Sequence, residues 1–146
     1  MSTIERAVVI ASEAHAGQVD KGGEAYIFHA LRVMLSVETA AERIVAVLHD
    51  VVEDSSWSLE QLRAEGFSEE VVQAIDSLTR RAGETYEGFV ARAGGNPIGR
   101  RVKLADLTDN CDLRRIGRPT LEDHARIERY RRAIKQLGEL APRPAP

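Results

Sequence analysis

The sequence predicts an all-α fold in one domain of about eight helices. Three observations carry that prediction. Apolar residues recur at helical spacing along most of the chain, as in Ile4, Val8, Ala11 and Ala14, in Ile44, Val45, Leu48 and Val52, and in Val71, Val72, Ile75 and Leu78. Aromatic residues make up only 5% of the sequence, whereas strands draw on aromatic and β-branched side chains together. Residues of the helix N-cap type precede nearly every apolar run, and no alternating strand pattern interrupts them.

In chain order, Ser2 with Glu5 has the spacing of a capping box and opens a helix over 3–16, stopped by Gly17. A Gly-rich loop runs from Gly17 to Ala25, and a second helix spans 26–36. Thr39 with Glu42 repeats the capping box before a helix over 40–52. Ser58 with Gln61 does so before 59–65, which Gly66 stops. Trp57, just ahead of that cap, is placed to staple the helix. Ser68 caps 69–80, and a helix over 84–93 ends at Gly94–Gly95. Asn96 and Pro97 suit the N-cap and first position of a helix over 97–110, and Thr120 caps a last helix over 120–138. Leu113 to Arg118 reads as a loop. Residues 141–146 read as a Pro-rich flexible tail, leaving 1–140 as the domain, with no internal repeat or linker.

Composition narrows the function classes. The single cysteine, Cys111, excludes an intrachain disulfide or a cysteine-rich metal cluster and suits a reducing cytoplasmic setting. Cys111 itself reads as small core filler. The N-terminus has acidic residues and no long apolar run, so it suggests neither a signal peptide nor a membrane anchor. Net charge is −3 but uneven: residues 1–97 hold 8 basic and 16 acidic side chains, residues 98–146 hold 12 and 7. The basic last third is either solvated helix surface or a source of arginines for a polyanionic ligand. No basic run interleaved with aromatics marks a nucleic-acid groove. Nothing in the sequence sets an oligomeric state.

The stretch Leu48-His49-Asp50-Val51-Val52-Glu53-Asp54 carries the chemistry. On a continuous helix His49 and Glu53 share a face, as do Asp50 and Asp54, behind the apolar run Ile44 to Leu48. Burying His49 and Asp50 there is costly without a partner, and a divalent cation takes imidazole nitrogen and carboxylate oxygen together. The alternative is an exposed acidic helix end, although acids at a C-terminus oppose the helix dipole. Two further segments favour the cation. His29 stands in the apolar run Tyr26 to Met34, and Asp106 in Val102-Lys103-Leu104-Ala105-Asp106-Leu107. Polar residues on three apolar helices can answer one another at one metal.

Histidine, a His-Asp doublet and a distant aspartate on successive helices resemble the HD-domain metal-dependent phosphohydrolases. More closely, the chain resembles the hydrolase domain of RelA/SpoT homologues, among them the small stand-alone alarmone hydrolases. The matching segments are Ala14-His15-Ala16-Gly17-Gln18, Gly23 to His29, Ala46 to Asp54, Val102 to Asp106, Asn110 and Tyr130. The resemblance implies an HD-type helical bundle whose metal, usually manganese (Mn2+), is held by His29, His49, Asp50 and Asp106. It implies Glu53 as the acid/base residue with Asp54 in support, and Asn110 and Tyr130 as substrate contacts. Glu53, one turn beyond His49, would take the proton of an attacking water. Lys103 reads either as a site residue or as a solvent-facing helix lysine.

The reaction implied is removal of the 3′-pyrophosphate from (p)ppGpp. The family places basic residues just after the Gln of its first motif, whereas here Gln18 is followed by Val19 and Asp20, leaving Lys21 as the basic substrate contact. Arg80, Arg81, Arg114 and Arg115 are candidate replacements. That departure keeps open a 2′-phosphatase of NADPH or a nucleoside monophosphate phosphatase of the same fold. A nucleotide-sensing module without catalysis would be a different class, but the ligand set and both carboxylates are present. His15 reads as a helix-end or core contact and His124 as exposed.

Overall fold

The computed structural model describes residues 2–140, and the tail expected at 141–146 lies outside them. Nine α-helices are found among the described residues: α1 (Ile4–Ala14), α2 (Ile27–Leu35), α3 (Ala40–Leu48), α4 (Val51–Asp54), α5 (Leu59–Ala64), α6 (Glu69–Ser77), α7 (Tyr86–Gly94), α8 (Pro97–Asn110) and α9 (Leu121–Glu139). A short 3₁₀ helix, Leu113–Arg115, joins α8 to α9. The only β-type pairing among these residues is one isolated antiparallel bridge, Val19 with Ala25, which closes the base of the 17–25 loop. The all-α, single-domain expectation agrees with this architecture.

Capping chemistry sets most boundaries. Thr39 and Ser58 each form the reciprocal capping box, and Ser68, Asn96 and Thr120 accept the N3 backbone N–H as expected. Thr85 caps α7 in the same way. Gly17 and Gly66 follow their helices with φ of 82° and 94°, the left-handed region where a side chain is disfavoured.

Two expectations need correction. The first cap is Thr3, whose hydroxyl accepts from Arg6 N–H, because Ser2 is turned away to donate its backbone N–H to Gly66 O. The helix expected over 40–52 ends at Leu48 and restarts as α4. The cause is local: His49 Nδ1 donates to Ala46 O at 2.5 Å, the carbonyl that Asp50 N–H would need to continue the ladder. His49 and Glu53 therefore stand on two separate helices, with Asp50 as the N-cap residue of the second.

Helix α3 is the centre of the molecule. Val45, Ala46, Val47 and Leu48 are all fully buried, so this helix is covered on every side. The main core gathers Ala7, Ile10 and Ala11 of α1, Ala30 and Val33 of α2, Val72 and Ile75 of α6, and Val102 of α8 around it. A second cluster, Val90, Leu107, Ala133 and Leu137, packs α7, α8 and α9 together. This arrangement brings the start of α2, the end of α3 and the middle of α8 to one place.

Candidate metal centre and adjoining cavity

His29 in the first turn of α2, His49 at the end of α3, Asp50 heading α4 and Asp106 inside α8 converge. Each offers one ligand atom, and these four atoms lie within 4.8 Å of one another. His29 Nε2 is 2.9 Å from Asp106 Oδ1 and 4.0 Å from Asp50 Oδ2. His49 Nε2 is 3.0 Å from Asp50 Oδ2 and 3.3 Å from Asp106 Oδ1. Both histidines and Asp106 are buried, and Asp50 is partly so.

Each ring is oriented from behind. His49 Nδ1 donates to Ala46 O, which leaves Nε2 as the lone-pair nitrogen facing the carboxylates. That buried Nε2 has no hydrogen-bond partner of acceptable geometry. His29 Nδ1 donates to Asp109 Oδ2 at 2.6 Å. Arg32 grips the same Asp109 through Nε at 2.8 Å and through its terminal nitrogen at 3.1 Å. The carboxylates are fixed as well. Tyr26 donates its hydroxyl to Asp50 Oδ2 at 2.5 Å. Asp106 accepts from Lys103 Nζ at 3.1 Å and from Asn110 Nδ2 at 3.0 Å.

Burial disfavours charge on Asp106, but Lys103, His29 and His49 outweigh it and hold the carboxyl well below its usual range. Asp50 is likewise lowered, by His49 against its burial. Burial opposes charge on both imidazoles too. Asp106 and Asp109 nevertheless raise His29, and Asp50 and Asp106 raise His49. Burial, then Asp50, pushes the Tyr26 hydroxyl up, so it remains a donor. Two lone-pair nitrogens and two anionic oxygens facing one another fit a single divalent cation.

Lys103 is buried, with its ammonium 4.7 Å from the Phe89 ring centroid. It faces Asp106 rather than solvent. A cavity of about 480 Å³ opens beside the cluster, and His29, Lys21, Asn110, Tyr130, Arg115 and Arg126 are among its walls. Neither Glu53 nor Asp54 is part of that wall. Both are exposed at the end of α4. Glu53 Oε1 accepts the Arg80 backbone N–H at 2.6 Å, and Asp54 Oδ2 accepts from Gln18 Nε2 at 3.3 Å. Desolvation of the half-covered carboxyl groups, with the nearby Asp50 charge, raises both.

Sequence reasoning missed Tyr26 and Asp109. Each lies three residues from a ligand on its own stretch of chain, a spacing that could have found them. His15 is a buried contact whose Nδ1 lies 2.9 Å from Gln18 Oε1, and His124 is exposed. Cys111 is half-buried.

No family model matches the chain. Curated relatives do. It is 30% identical over 156 residues to a probable GTP pyrophosphokinase of Mycobacterium leprae, covering 98% of this chain and 19% of the relative. It is 36% identical over 138 residues to a guanosine-3′,5′-bis(diphosphate) 3′-pyrophosphohydrolase of Haemophilus influenzae, covering 78% and 20%. A relative of that same name from Aquifex aeolicus is 29% identical, covering 84% and 20%. The chain thus spans about a fifth of the length of the curated relatives it matches. Among solved structures, one described as a metazoan ortholog of SpoT that hydrolyses ppGpp superposes with a TM-score of 0.77 at 20% identity, covering 94% of this chain and 85% of the other. Fold and ligand cluster together define an HD-type helical domain. Within that class, the chain is similar over most of its length to part of curated RelA/SpoT-type proteins, named as GTP pyrophosphokinases and as guanosine-3′,5′-bis(diphosphate) 3′-pyrophosphohydrolases.

No helix among the described residues is long and apolar enough to cross a membrane.

Proposed function

We propose that this domain is a manganese-dependent phosphohydrolase that removes the 3′-pyrophosphate from (p)ppGpp, giving GDP or GTP and pyrophosphate. The observation that carries the reading is the four-ligand cluster with His29 shared between it and the cavity, so that a phosphate of a bound nucleotide reaches the ligands. Relatives named for this reaction and a like-folded ppGpp hydrolase support it.

His29, His49, Asp50 and Asp106 would hold the ion. Nitrogen and hard oxygen donors together suit manganese. When bound, the ion supplies Lewis acidity to a phosphoryl oxygen and to water. The protein's own groups do the rest. Lys21 and Arg126 face the phosphates from the cavity wall, and Asn110 and Tyr130 contact the nucleotide. Glu53 accepts the proton of the attacking water as oxygen adds to phosphorus. The bond to the ribose 3′-oxygen breaks, and that oxygen takes a proton from Glu53, Asp54 or solvent. The raised carboxyls at the end of α4 suit this two-way proton traffic.

Product analysis after incubating the manganese-loaded protein with ppGpp, NADPH and nucleoside monophosphates tests the reading. Pyrophosphate and GDP from ppGpp are expected. Inert ppGpp beside turnover of NADPH or a monophosphate would assign the site to the 2′-phosphatase or monophosphatase alternative.

A further inference from the structure

Arg115, in the 3₁₀ helix between α8 and α9, touches both the 17–25 loop and Asp109 of α8. Its guanidinium lies 3.1 Å from Asp20 Oδ2 in the 17–25 loop. A second nitrogen donates to Asp109 O at 2.8 Å and lies 3.3 Å from Asp109 Oδ2, the oxygen that orients His29. Its backbone meets the loop as well: a Cβ on Gly22 would sit 2.2 Å from Arg115 O, so the loop lies directly on this residue. Asp20 organises the loop from within, accepting from Gly22 N–H at 2.9 Å and Glu24 N–H at 3.0 Å. Asp20, Gly22, Arg115 and His29 all line the cavity.

One forked cation therefore bridges the carboxylate that shapes the loop and the carboxylate that aims a metal ligand. A planar guanidinium can hold both at once, which a point-charge ammonium cannot do in the same geometry. Resting on the reading of the cavity as the nucleotide site, we propose that Arg115 is a positioning residue that couples closure of the 17–25 loop to the orientation of His29. Loop closure and metal binding then favour each other, because such coupling is reciprocal.

The chain's lysines make the loop readable. Lys21 is exposed in the loop, Lys103 is buried in α8, and Lys135 lies within α9. Cleavage after Lys21 by a lysine-specific protease reports loop opening, and calorimetry with manganese alone reports the cluster. Asp20→Asn keeps an oxygen for the loop N–H groups but drops the charge that holds Arg115. It should speed nicking about tenfold and, by that reciprocity, weaken manganese about twofold, less than loss of Arg115 does, since Arg115 still reaches Asp109. Arg115→Ala should speed nicking equally and also weaken manganese about tenfold, the low end of the range for a ligand's outer partner, because Arg32 still holds Asp109. Arg115→Lys, the milder change, cannot keep both properties at wild-type level.

An Arg115→Ala protein that binds manganese as tightly as Asp20→Asn would overturn the coupling. Unchanged nicking in Arg115→Ala, or two wild-type values in Arg115→Lys, would do the same. Neither readout needs turnover. The expected pattern in a protein that leaves ppGpp intact would uphold Arg115 and overturn the substrate reading instead.

Discussion

Asp109 Oδ2 stands 2.6 Å from His29 Nδ1, while His29 Nε2 faces Asp106 Oδ1 at 2.9 Å. A carboxylate can only accept, so Asp109 fixes the proton on Nδ1 and frees Nε2 for a cation. Burial opposes charge on Asp109, but hydrogen bonds from His29 and Arg32 overcome it and hold the carboxyl far below its usual range. With the proposed ion bound, the pair would make a carboxylate–histidine–metal relay.

Removing that relay should be felt at the metal. Asp109→Ala is expected to weaken manganese binding by about 10–100-fold, the usual effect of losing a ligand's outer partner. Calorimetric titration of metal-free protein measures this, and an affinity equal to wild type would show that His29 needs no such support.

The imidazoles also set a pH dependence. Both are raised above the ordinary histidine value by Asp50, Asp106 and Asp109 despite their burial. The sign follows from linkage. A raised histidine contributes stability that is fully present below its unfolded value of about 6.5 and lost as pH rises through its folded value. Metal-free protein should therefore lose stability on the alkaline side. Metal binding must displace those protons and strengthens in the same direction. The gap in Tm between manganese-loaded and metal-free protein should widen between about pH 6 and about pH 8.5, bracketing and exceeding the unperturbed histidine value. A gap that narrows over that range would contradict the proton assignment.

How much was legible depended on how local the physics was. Thr39, Ser58 and Asn96 announce helix starts because a cap needs only its own hydroxyl or amide and the next turn. The convergence of His29, His49, Asp50 and Asp106 was readable because His29, His49 and Asp106 are polar residues inside apolar helix faces. The break after Leu48 was not, because it arises from the His49 ring taking Ala46 O, a side-chain geometry that spacing does not encode. Lys103 turns inward for two reasons: Asp106, one turn along, and the ring of Phe89 on α7. Only the first of these is visible in sequence. Asp20 and Arg115 are 95 residues apart, and only the fold brings them together.

Tight packing between α6 and α8 gives a stability prediction. A Cβ on Gly99 of α8 would lie 2.3 Å from Ser77 Oγ and 3.1 Å from Ala93 O. Ser77 is buried, and its hydroxyl is tied to Ala74 O. Gly99→Ala gains about 1 kcal/mol of helix propensity, but overpacking costs about 1–3 kcal/mol, and contacts this short lie at the costly end. Net destabilisation in urea unfolding is expected. Adding Ser77→Ala removes the closest atom and should restore part of the loss. A more stable single variant would mean that α6 and α8 can move apart freely.

The proton-transfer assignment yields the sharpest test of the active site. Glu53→Gln keeps an oxygen for the Arg80 backbone N–H, so the end of α4 stays anchored. It removes the group that takes up a proton. With no metal ligand altered, manganese affinity should be unchanged, while kcat should fall by about 10²–10⁴-fold, the usual worth of a general base. Desolvation raises the Glu53 carboxyl, and the Asp50 and Asp54 charges add to that, against the Arg80 N–H bond that lowers it. A base works deprotonated, so wild-type kcat should decline as pH falls through that raised value. The residual activity of Glu53→Gln should lose this acidic limb. Asp54→Asn, which keeps an acceptor for Gln18, should cost less and retain the limb. If Glu53→Gln turned over ppGpp at the wild-type rate and Asp54→Asn did not, the two roles would have to be exchanged.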